Sequence, residues 1–151
     1  MLGLSGICAC REQQRAVDRS GAPAATSLLA KSVITVSGPT VIAAFPVTQA
    51  EVDSSDETAE ALNDFQFHLR NATGGLRALG VTVHEQYSSP VRWKVNGGSY
   101  ERSIPSDSVA AYLFLSPTRR DSVVYGVQTD IDLVDLVRQY FHIAPLAGHA
   151  R

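Results

Sequence analysis

Two stretches of the chain are apolar at nearly every position, Thr40-Val-Ile-Ala-Ala-Phe-Pro-Val47 and Val109-Ala-Ala-Tyr-Leu-Phe-Leu115. A strand with one wet face alternates apolar and polar residues, whereas a strand covered on both faces does not. Both runs therefore predict central strands lying between two layers. Pro46 has no N–H to give to a ladder, so the first strand is expected to end near Phe45. The period then changes. Ala59, Leu62, Phe65, Leu69, Ala72, Leu76 and Leu79 recur at steps of three and four, which predicts a long helix from Ser54 to Leu79 with one buried face. Ser54-Ser-Asp-Glu57 has capping-box spacing at its start and Gly80 supplies a stop. Gly74-Gly75 lies inside the pattern, and each Gly costs about 1 kcal/mol relative to Ala, which predicts a bend or break in the last turns.

The remaining pattern is shorter in range. Ser32-Val-Ile-Thr-Val-Ser37 is rich in β-formers and is punctuated by Gly38-Pro39. Val81 to Tyr87 alternates as a strand, and Val91 to Val95 with Ser99 to Arg102 reads as a hairpin around Asn96-Gly97-Gly98. Ser116 to Asp121 turns the second apolar run into Ser122 to Val127, a second hairpin with Arg119-Arg120 at its tip. Asp130 to Phe141 predicts a closing helix. Its wide apolar face carries Ile131, Leu133, Val134, Leu136, Val137, Tyr140 and Phe141, and Asp130 and Asp132 stand at its front as caps. One α/β domain is expected over residues 32–143, with a flexible tether over 11–31 and a disordered tail over 144–151.

Composition narrows the chemistry. With 151 residues, 44% of them hydrophobic and 19% charged, the chain is expected to be globular and to bury a core of its own. Thirteen basic and fifteen acidic residues spread along the chain give a net charge of -2, which offers no footprint for nucleic acid. Both cysteines, Cys8 and Cys10, fall in the first ten residues, so the predicted body holds no disulfide, thiolate nucleophile or Cys-ligated metal. His68, His84, His142 and His149 have no metal-ligand spacing, and no Gly-x-Ser-x-Gly elbow, Ser-x-x-Lys pair or glycine-rich phosphate cradle occurs. No catalytic residue, metal or cofactor is expected. Arg119-Arg120 could grip a phosphate or carboxylate, but two arginines on a turn are ordinarily just solvated.

Strand, long helix, strand, strand hairpin and closing helix is the order of the thioredoxin-like fold, which this chain resembles. The resemblance implies a mixed sheet of about four to six strands, with the Val91 to Arg102 hairpin as an insertion. Ile104-Pro105 stands ahead of the second apolar strand, where that family places a cis-proline, and Tyr125-Gly126 precedes the last helix, where a glycine is common. Pro46 to Val52 contains no Cys where the family carries Cys-x-x-Cys, so dithiol exchange is not expected. Relatives bind partners in the groove here, which points to Thr48, Gln49 and Pro105. Ile7-Cys8-Ala9-Cys10 resembles a bacterial lipobox, with residues 1–10 as a truncated or degenerate signal. That resemblance implies lipid on Cys10 and a domain tethered to the periplasmic side of an envelope membrane by the lipid alone. Unprocessed, the chain would be cytoplasmic.

The expectation is therefore a non-catalytic binding or scaffolding domain with a protein or small-molecule partner. Two other readings stand beside it. One is an enzyme with a non-thiol site assembled from distant segments near Thr48, Gln49 and Pro105. The other is a structural subunit of a larger assembly, which requires a contiguous exposed apolar patch.

Overall fold

The computed structural model describes Ser32–Ala144, so the expectations for Cys10, the tether and the last seven residues lie outside the described residues. In chain order the elements are β1 (Ile34–Thr35), β2 (Thr40–Ala44), α1 (Gln49–Ser54), α2 (Asp56–Ala78), β3 (Thr82–Gln86), β4 (Val91–Val95), β5 (Gly98–Arg102), β6 (Ala111–Ser116), β7 (Arg119–Tyr125) and α3 (Asp130–Phe141). They form an α/β structure with two sheets. The larger has the order β3-β2-β6-β7, with β2 and β3 parallel and the other neighbours antiparallel. The smaller has the order β1-β4-β5.

The apolar runs become the two middle strands of the larger sheet, as their lack of alternation requires. Every residue of β2 is buried, and so is every residue of β6 except Ser116. The period of two still sorts their side chains. Val41, Ala43 and Phe45 of the first run, with Ala110, Tyr112 and Phe114 of the second, join Phe65, Leu69, Ala72 and Leu76 of α2 and Leu133, Val137 and Phe141 of α3 in one core. Ile42, Ala44, Ala111, Leu113 and Leu115 point the other way and pack with Val36, Val91, Trp93 and Ile104 in a second core. The central sheet thus has helices on one face and a second sheet on the other.

Local chemistry closes the elements. Asn96 and Gly97 both have positive φ, 51° and 78°, the requirement of a two-residue type I′ turn between β4 and β5. At the end of α2, Gly80 takes φ 78° while its N–H donates to the Arg77 carbonyl and the Val81 N–H donates to the Leu76 carbonyl, satisfying two terminal acceptors of the helix. Tyr112 is fully buried in β6 with its hydroxyl near the Gln128 N–H, and burial raises its pKa.

Several details differ from the sequence reading, each for a local reason. The long helix starts at Asp56 rather than Ser54, because Ser55 is the N-cap, accepting from the Thr58 N–H at 3.2 Å. The capping box belongs instead to Thr48 and Glu51 at the head of α1, a short helix that ends at Ser54. Gly74-Gly75 does not break α2, which runs on to Ala78 with Phe65, Leu69, Ala72 and Leu76 buried. Arg119-Arg120 opens β7 instead of sitting at a hairpin tip, because the turn is the two residues Pro117 and Thr118. The four-stranded mixed sheet lies within the expected four to six strands, while the inserted β4-β5 hairpin joins β1 in a second, three-stranded sheet that the sequence reading did not include. At α3 the cap is Thr129, and Ile131 is 70% exposed rather than on the buried face. The cis X-Pro bond among the described residues is Ser89-Pro90, not Ile104-Pro105.

Leu69→Ala is expected to cost roughly 2 to 5 kcal/mol in denaturant unfolding, since Leu69 is buried in the helix-side core. Gly74→Ala should instead add about 1 kcal/mol, because a Cβ at Gly74 meets nothing within 4 Å and Ala is the better helix former. A loss of stability in Gly74→Ala would contradict the placement of that position in an unstrained, open helical turn.

Candidate functional site

The antiparallel register of β2 and β6 pairs Ala44 with Ala111, so the segment leaving β2 and the segment entering β6 emerge side by side. Between them lies a cleft of about 420 Å³. The β2 side supplies Pro46 and Val47, then Glu51 and Ser54 of α1, and Ser55 and Thr58 where α2 begins. The β6 side supplies Ile104, Pro105, Ser106, Ser108 and Val109, and Ser89 joins them from the turn after β3. The Ile104 N–H donates to the Ser89 hydroxyl at 3.1 Å, tying these last two segments together. The walls combine an apolar base, including the buried Ile104, with six hydroxyl side chains.

Glu51 is the one ionisable side chain in this lining. Its carboxylate accepts from the Thr48 hydroxyl at 2.6 Å and from the Thr48 N–H at 2.8 Å. Those two bonds favour the charged form and lower its pKa below the ordinary glutamate value. A carboxylate held this way is a weak base, and the lining contains no His, Lys or Cys to activate its hydroxyls. The arrangement is suited to accepting and donating hydrogen bonds beside an apolar floor. Charge adds direction: Glu51, Asp53, Asp56, Glu57, Glu60 and Asp64 follow one another between Lys31 and Arg70, an interval with no other Lys or Arg, and Asp107 lies in the opposite segment. The charges are therefore segregated rather than spread along the chain.

Of the three groove residues read from the sequence, Pro105 lines the cleft. Thr48 and Gln49 do not: Thr48 caps α1 and reaches the cleft through Glu51, while the Gln49 amide donates to Asp53 at 2.7 Å. The sequence reading missed the serines, which carry no motif, and it missed the acidic interval, which was visible as a run without Lys or Arg. It also missed a pairing across 62 residues, His68 Nδ1 to Asp130 Oδ1 at 3.0 Å, which ties α2 to the start of α3. Neither residue lines the cleft. No group of three or more potential metal-ligating side chains occurs among the described residues, and no helix among them is long and apolar enough to cross a membrane.

The lowered pKa of Glu51 sets a direction for pH. The capping bonds contribute fully above the unfolded-state pKa and are lost as pH falls through the lower folded value. Carbon-detected NMR should place the Glu51 midpoint below the ordinary glutamate range and move it upward in Thr48→Val. An unchanged midpoint in that variant would show that the Thr48 hydroxyl does not hold the carboxylate.

No family model matches the chain, and no curated protein or solved structure matches it either.

Proposed function

We propose that this chain is a non-catalytic binding domain of thioredoxin-like type, held at a bacterial envelope membrane by a lipid on Cys10. The observation that carries the binding role is the cleft itself: the segments after β2 and before β6 meet there, and its hydroxyl-lined walls contain no base able to activate them. The element order from β2 to α3 supports the thioredoxin-like reading, and so does Pro105 standing in the lining of the cleft. The Glu51 carboxylate in the lining, with the acidic residues that follow it along the chain, makes a basic, extended protein segment the best-matched partner, its backbone meeting the serines and its Lys or Arg side chains meeting α1 and the head of α2. Salt should weaken such binding.

A photo-crosslinking amino acid at Ser106 tests the cleft in cells. The expected result is a discrete adduct with a protein whose cross-linked segment is basic, absent when the probe is moved to Arg119 at the far edge of the sheet. Equal adducts from both positions, or none from Ser106, would rule the cleft out as the docking surface. The anchor is tested separately by expression from the natural start. Wild type should partition into detergent with acyl mass on the peptide beginning at Cys10, and Cys10→Ser should stay in the aqueous phase. An unmodified peptide retaining Met1 would remove the envelope address while leaving the cleft reading intact.

A further inference from the structure

A second hollow, lying along α2 and beside β3, has a different chemistry. It measures about 420 Å³ and is lined by Gln66, Arg70, Thr73, Gly74, Arg77, Glu85 and Tyr87. Arg70 and Arg77 are exposed, and neither guanidinium has a hydrogen-bond or ion-pair partner among the described residues. They lie about two helical turns apart, roughly 10 Å along the axis. Between them is Gly74, whose missing side chain leaves the helix surface open.

Packing does not explain that glycine. A Cβ at Gly74 would meet nothing within 4 Å, and its φ is not positive. Glycine at a helix interior destabilises by about 1 kcal/mol relative to alanine, so the position gives up stability without relieving any contact. What it does provide is close access to the backbone between two free cations. The opposite wall is fixed by a hydrogen-bond chain in which the Gln66 amide donates to the Tyr87 hydroxyl at 3.3 Å and that hydroxyl donates to Glu85 at 2.9 Å. Two unpaired guanidiniums outweigh the single carboxylate, and that carboxylate is already engaged.

We infer that this hollow binds a phosphoryl-bearing ligand, its oxyanion held over Gly74 by Arg70 and Arg77. A tetrahedral phosphoryl group presents acceptor oxygens in several directions and can meet guanidiniums arriving from both ends of the hollow, whereas a carboxylate presents its two oxygens in one plane. The volume lies in the range of small-molecule sites and exceeds what a phosphoryl group fills, leaving room beside Tyr87 and Gln66 for the rest of the ligand. The same chemistry belongs to soluble phosphorylated metabolites and to phospholipid headgroups.

Titration of the chain carrying Cys10→Ser, which cannot be lipidated, with pyrophosphate, and its flotation with phosphatidylglycerol vesicles, separate these sources. Saturable binding of pyrophosphate assigns a soluble ligand, and binding of vesicles alone assigns a headgroup. In either case Arg70→Ala and Arg77→Ala should each weaken binding by about tenfold or more, the loss of a charge-assisted contact. Arg119→Ala, on the opposite edge strand, should leave it unchanged. Gly74→Leu should abolish binding while thermal unfolding shows a fold at least as stable as wild type, a combination that global damage cannot produce. Failure to bind either probe, or binding that survives the arginine variants or Gly74→Leu, overturns the inference.

Discussion

The whole domain depends on one pairing, β2 against β6, with both faces of both strands withdrawn from water. Two such strands satisfy each other's backbone groups, but they leave two apolar surfaces that must each be covered. Helices α2 and α3 cover one surface and the β1-β4-β5 sheet covers the other. The same pairing creates the cleft. Once Ala44 is fixed opposite Ala111, the segments beyond them are forced together, whatever residues those segments contain. A robust core thereby frames a surface whose chemistry can vary without disturbing the fold.

What the sequence revealed, and what it hid, follows from the range of the interactions. The uninterrupted apolar runs, the Asn96-Gly97 turn and the closing helix from Asp130 to Phe141 were legible because hydrophobic period and turn chemistry act over a few residues. The start of α2 was misplaced because Thr48-x-x-Glu51 and Ser54-x-x-Glu57 have the same spacing, and only the three-dimensional path shows that the first of them closes a capping box. The second sheet was hidden because β1 is two residues long and its partner β4 lies far along the chain. Non-local strand pairing of that kind leaves little signature in either segment.

The candidate site was the least legible part. Six hydroxyl residues from separated segments carry no spacing that a motif search can find, and their joint placement is a product of register. Pro105 was reachable only through a resemblance in element order. Thr48 and Gln49 stand outside the lining for a physical reason: the chain turns into α1 there, and their side chains are engaged in capping and with Asp53.

The single tryptophan gives this architecture an unusual optical property. Trp93 lies in the core between the two sheets, 4% exposed, with the Tyr100 ring stacked on it at 6.0 Å and 19°. Its emission therefore reports on the inter-sheet layer alone, whereas far-ultraviolet ellipticity is dominated by α2 and α3 on the opposite face. The two signals observe different halves of one molecule. Coincident melting curves would mean that the central strands transmit the loss of either layer to the other, and separated curves would show the sandwich opening as a unit of its own.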